Sequence, residues 1–128
     1  MSTSIYLVCS DTISTDECIY FYNMLSAVDI NQSNISCLIN EKEANVWMRF
    51  LGASVLDECD EEELERWNAH LKKGDAYSFF ELTIGSGDRS MNLAVKIAKE
   101  VMSRWDVIVD DLYDAIYTSE NIDEILAP

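Results

Sequence analysis

Apolar and polar positions alternate from the start of the chain, Ile5, Leu7 and Cys9 on one side and Tyr6 and Val8 on the other, in a run that predicts an interior strand. Ser14-Thr15-Asp16-Glu17 then has the S-x-x-E form of a capping box. Behind it Cys18, Phe21, Tyr22, Leu25 and Val28 recur at helical spacing, so strand leads to helix. After the polar stretch Asn31 to Asn34, the segment Ile35 to Ile39 reads as a second strand and Asn40 to Glu43 as a turn. Ala44, Val46, Met48 and Phe50, alternating with Asn45, Trp47 and Arg49, make a third strand, and the pair predicts a hairpin.

Asp60 begins the next helix, with Glu63 three residues on as an approximate capping box and Gly74 placed to end it in the left-handed conformation. Leu64, Trp67 and Leu71 share its inner face, Glu62 can pair with Arg66 across one turn, and Lys72 and Lys73 sit where the dipole favours cations. Tyr77 to Ile84 alternates as a strand, with Phe80, Leu82 and Ile84 opposed to Phe79, Glu81 and Thr83. The most regular helix follows: Ala94, Ile97, Ala98, Val101, Met102 and Trp105 repeat at i, i+3, i+4, with Ser90 or Asp88 as N-cap. Val107 to Val109 and Ala115 to Tyr117 form two short strands around Asp110 to Asp114, and Ser119 caps a last helix through Leu126. The order β-α-β-β-α-β-α-β-β-α, without linker or repeat, predicts one α+β domain over residues 1–128: a mostly antiparallel sheet with its helices packed on one side.

Charge changes this picture most. Twenty-four carboxylates stand against nine bases, and every Lys and Arg lies between Lys42 and Arg104, so both ends of the chain are acidic without a cation to offset them. A net charge of −15 destabilises a compact state by self-repulsion, and a domain that retains it gains solubility or a basic partner. Apolar residues make up 48% of the chain, too many for an acidic disordered segment, so the protein is expected to be globular. No apolar run reaches membrane-spanning length, and Met-Ser-Thr-Ser-Ile-Tyr at the N-terminus lacks the basic stretch and cleavage site of a signal peptide. A cytoplasmic location without membrane contact is expected. Cys9, Cys18, Cys37 and Cys59 contain no C-x-x-C and fall largely in apolar stretches, which fits reduced thiols in that compartment better than disulfides or zinc.

Catalytic chemistry finds little support. Gly85-Ser86-Gly87-Asp88-Arg89-Ser90 connects a strand to a helix, but it lacks the third glycine of a dinucleotide fingerprint and Asp88 would repel an anion. It reads as a turn before a helix. His70, the one imidazole, sits near the end of a charged helix, the ordinary place for a solvated histidine beside the dipole's negative end. No catalytic residue, metal site or cofactor is assigned. Two acidic blocks remain. Asp57, Glu58, Asp60, Glu61, Glu62, Glu63 and Glu65 place seven carboxylates in nine residues, and the helix dipole accounts for only about three of them. Asp110, Asp111 and Asp114 lie between the last two strands, without the D-x-D-x-D-G spacing of a calcium loop.

The helix Met91 to Trp105, the strand and acidic turn Asp106-Val107-Ile108-Val109-Asp110-Asp111, and the strand Ala115-Ile116-Tyr117-Thr118-Ser119-Glu120 together resemble the C-terminal part of small acidic bacterial immunity proteins. Such proteins belong to polymorphic-toxin and contact-dependent growth inhibition systems. The resemblance covers residues 91–120 and implies inhibition by binding: a basic cognate toxin, often a nuclease, blocked in the cytosol at its active site or substrate surface. The hairpin acids Asp110, Asp111 and Asp114, with Tyr113 and Tyr117 as amphipathic anchors, are the expected centre of the interface. Asp57, Glu58, Asp60, Glu61, Glu62 and Glu65 are the expected steering block. Two other readings stay open: a nucleic-acid mimic of the anti-restriction or anti-CRISPR kind, with acids spaced like a phosphate ladder, and a small ligand-binding enzyme with a deep pocket.

Overall fold

A computed structural model describes residues 3–126; Met1, Ser2, Ala127 and Pro128 lie outside the described residues. In chain order the elements are β1 (Thr3–Cys9), α1 (Thr15–Met24), β2 (Val28–Asn31), β3 (Ser36–Glu41), β4 (Ala44–Gly52), a 3-10 turn (Ser54–Asp57), α2 (Glu61–Asn68), β5 (Ser78–Ile84), α3 (Asp88–Met102), β6 (Val107–Asp110), β7 (Ile116–Tyr117) and a second 3-10 turn (Ile122–Leu126). The seven strands form one antiparallel sheet in the order β2-β3-β4-β5-β1-β6-β7, so the α+β class is the one expected. β1 lies between β5 and β6, with Leu7 opposite both Phe80 and Val109, and its second half is apolar on both faces because Leu7 and Cys9 enter one core and Val8 the other.

Local signals placed most elements. Ser14 accepts from the Glu17 amide while the Glu17 carboxylate accepts from the Ser14 amide, completing the capping box of α1. β3 and β4 pair from Ser36 to Arg49 through Glu41 and Ala44, with Lys42 at φ 57 in the tight turn. Four expectations need correction. The first helix stops at Met24 rather than reaching Val28, because Ser26 turns to φ 58 and Val28 opens β2, a four-residue edge strand whose residues are mostly exposed. α3 is capped by Gly87 at φ 92, with no side-chain cap from Asp88 or Ser90; Ser90 is buried instead, its hydroxyl accepting from the Asn45 amide and donating to the Ser86 carbonyl. Ile122–Leu126 forms a 3-10 turn rather than an α-helix. The Thr118 hydroxyl, not Ser119, accepts from the Glu120 amide there.

The fourth correction concerns layering. α1 and α3 cover one face of the sheet, where Leu7, Met48, Phe80, Leu82, Ile97 and Val101 make the larger core. α2 does not join them. With the Ser54–Asp57 turn it covers one end of the opposite face, where Val8, Phe79 and Ile108 bury Val55, Trp67 and Ala76 in a second core. Phe79, an aromatic on the otherwise polar side of β5, is fully buried for that reason. Ile97 and Val101 are nearly or fully buried in the larger core, so Ile97→Ala should lower stability by about 2 to 4 kcal/mol, read as a shift of the urea midpoint at unchanged slope. An unmoved midpoint would mean that α3 is not packed as described.

Burial also governs the thiols. Cys9, Cys18, Cys37 and Cys59 are free, and burial pushes the Cys18 and Cys37 thiols up to about 12, so they behave as small apolar groups.

Candidate functional site

α2 is held from both ends. Asp60, its N-cap, accepts from the Glu63 amide at 2.8 Å, and Glu61, Glu62 and Glu63 sit beside the positive end of the helix dipole. Leu64, Trp67 and Leu71 turn inward as their spacing predicts, leaving Asp57, Glu58, Asp60, Glu61, Glu62, Glu63 and Glu65 exposed. None of these seven forms an ion pair with a base among the described residues. The expected Glu62–Arg66 pair is absent, because Arg66 reaches Asp110 instead, Nη1 to Oδ2 at 3.7 Å.

That contact revises the second acidic block. Asp110 is 4% exposed: Oδ2 accepts from the Trp67 indole at 2.7 Å and Oδ1 from the Leu112 amide at 2.8 Å. It is therefore a buried carboxylate that fastens α2 to the sheet, not a surface acid, since a charge removed from water needs every hydrogen bond it can accept. Asp111 is occupied as well, accepting from the Tyr113 and Ala115 amides at 2.9 and 3.1 Å and so holding the turn in which Leu112 adopts φ 65. Tyr117 is half-buried against the larger core, whereas Asp114 and Tyr113 are exposed, Tyr113 at 80%. Of the hairpin residues expected to form an interface centre, only the last two face outward freely.

α2 leaves the α-helical pattern at His70, whose amide donates to the Trp67 carbonyl, and the loop that follows is fixed from the sheet. Asp106, at the foot of β6, accepts from the Ser10 hydroxyl at 2.7 Å and from the Lys72 and Lys73 amides at 3.0 and 2.7 Å. Those bonds hold the loop against the foot of the sheet, and the helix ends at Asn68 without Gly74 as its terminator. Burial works against the charge on Asp106, yet these donors outweigh it and hold the carboxyl below its ordinary pKa. The sign follows. Its stabilisation is present above the ordinary aspartate value of about 3.9 and is lost as pH falls through the lower folded value. Asp106→Asn should cost about 2 kcal/mol at neutral pH and flatten the acid limb of the stability profile. Parallel acid limbs in the two proteins would exclude Asp106 as the titrating group.

Asp110 and Asp106 join what the sequence presents as separate blocks. Trp67 of α2 and Ile108 and Ile116 of β6 and β7 meet in the second core, and Asp110 at the end of β6 binds the Trp67 indole there. Tyr6 packs at the margin of that core, where burial first and then the charges of Glu81 and Glu58 raise its phenol pKa against the opposing guanidinium of Arg49. The helix on the other face differs. There Lys96 pairs with Glu41 and Lys99 with Asp123, both within 3 Å, so α3 is locally compensated while α2 is not. His70 is exposed, its Nδ1 2.9 Å from the Arg66 carbonyl, and no group of three or more metal-ligating side chains occurs among the described residues. Trp47, which the sequence reading placed only in a strand, is 47% exposed on β4; its signal was an aromatic at a polar-phase position between Val46 and Met48.

Comparison with models of protein families, with curated proteins and with solved structures finds no match to this chain.

Proposed function

We propose that this protein is an acidic inhibitor of the immunity type, which binds a basic cognate toxin, a nuclease by preference, in the cytoplasm and blocks its active site or substrate surface without turnover of its own. The observation that carries the reading is the α2 block: seven exposed carboxylates, uncompensated among the described residues, on an element anchored by Trp67 and Asp110. Enzymes that grip phosphate are basic, and a rigid set of carboxylates competes for the same cations while steering association. Among the described residues no helix is long and apolar enough to cross a membrane.

Shape favours a protein target over mimicry of a nucleic-acid ladder. The accessible surface of 7278 Å² is close to the roughly 6,900 Å² of a compact protein of this mass, so the body is compact rather than the elongated one that a phosphate ladder calls for. Exposed Trp47 and Tyr113 add the aromatic anchors that protein interfaces use. The test is capture of the tagged protein's partner from its native lysate at about 0.1 M and about 1 M salt, across which the screening length falls from about 10 to about 3 Å. A basic partner released at high salt, and inactivated by the purified protein in a one-to-one mixture, is the expected result. A partner that is acidic, or whose activity is untouched by saturating inhibitor, would refute the proposal.

A further inference from the structure

α2 covers only one end of its face of the sheet. Beyond it a row runs across the strands from Leu38 through Trp47 and Thr83 to Ser4, and all four side chains remain at least partly exposed. The neighbouring row contains Arg49 and Glu81, paired at 3.4 Å. A shallow depression of about 290 Å³ lies here, with Trp47, Leu38 and Thr83 in its lining and the carboxylates of Asp29 and Glu81 against the single guanidinium of Arg49. Tyr6, next to Glu81 in that row, packs on the second core together with Leu56 and Cys59, the residues on either side of the exposed Asp57 and Glu58.

We infer that this open half of the sheet face seats the basic partner, with Trp47 as the central anchor and the α2 acids as the rim that brings it in. The inference rests on the function proposed above and assigns it a surface. Charge chooses the occupant: a second copy would bring another −15, whereas a cationic surface meets the exposed carboxylates of Asp29 and Glu58 beside the Arg49–Glu81 pair. The sheet edges offer poor alternatives, because β2 is bent by Asp29 at φ 52 and β7 is two residues long. An arginine or lysine of the partner can stack on the exposed indole while its neighbours pair with the rim, the arrangement in which tryptophan contributes most to interfaces.

The test uses octa-arginine as probe and the full chain, followed by amide and indole NMR at low salt. The indole signal of Trp47 should shift together with the Leu38 and Thr83 amides, while those of Trp67, buried on Asp110, and Trp105 serve as internal references. Trp47→Thr, which keeps a strand-favouring residue, should weaken peptide binding about tenfold with an unchanged melting temperature. Mapping on the wild-type chain decides the matter even if that variant is unstable. Shifts confined to residues 57–65 would overturn the assignment of the face and leave the acidic-inhibitor reading standing. Absence of any shift would refute that reading along with it. Concentration-dependent shifts of Trp47 without peptide would give the face to a second copy, and the inference would fall.

Discussion

Replacing Trp67 with alanine should destabilise the protein by about 4 to 5 kcal/mol, a large part of the 5 to 15 kcal/mol that holds a typical domain folded. Two losses combine. The indole is 2% exposed and meets the ring of Phe79 edge-on with centroids 5.1 Å apart, so its removal empties the second core. Its Nε1 also leaves the buried Asp110 carboxylate, whose charge is then short of a donor at 2.7 Å. Trp67→Phe separates the two effects, because it retains most of the ring packing and removes only the donor; it should cost about 1.5 to 3 kcal/mol. Asp110→Asn made in that background should cost less than the same change in the wild type, the coupling expected of direct partners. Urea midpoints of the four proteins measure both quantities. Additive costs would mean that the indole and the carboxylate do not stabilise one another.

Neutralising Glu58, Glu61, Glu62 and Glu65 to Gln should slow association with the captured basic partner about 10- to 100-fold at low salt, leaving dissociation nearly unchanged. All four are exposed and unpaired among the described residues, and four of fifteen excess charges disappear together, so the salt dependence of the association rate should flatten as well. The hairpin behaves differently. Asp110→Asn and Asp111→Asn act on internal hydrogen bonds and should lower stability before affinity, whereas Tyr113→Ala, at an 80% exposed tip, should leave stability intact and speed dissociation if the tip touches the partner. Stopped-flow association and surface-immobilised dissociation give the two rates. Unchanged association after four neutralisations would reduce the acidic block to a solubility device.

The sequence by itself determined the elements whose signals are local. β1, the β3–β4 hairpin, β5 and α3 announced themselves by period, and α1 by its capping box, since a pleated strand and an amphipathic helix each repeat one face at a fixed interval. It also determined the excess of carboxylates. Tertiary structure decided the rest. β2 was missed because Val28 falls in helical phase with Phe21 and Leu25, and the loop after α2 is held by a carboxylate 34 and 33 residues away, which takes the amides of Lys72 and Lys73. Asp110 and Asp114 are alike in the sequence, yet one is buried beneath Trp67 and the other faces water. Periodicity reports which side of an element is apolar but not which donor lies across the core from a given acid. Only packing therefore separated the carboxylates that hold α2 in place from those it presents, and left Trp47 uncovered on the part of the sheet that α2 does not reach.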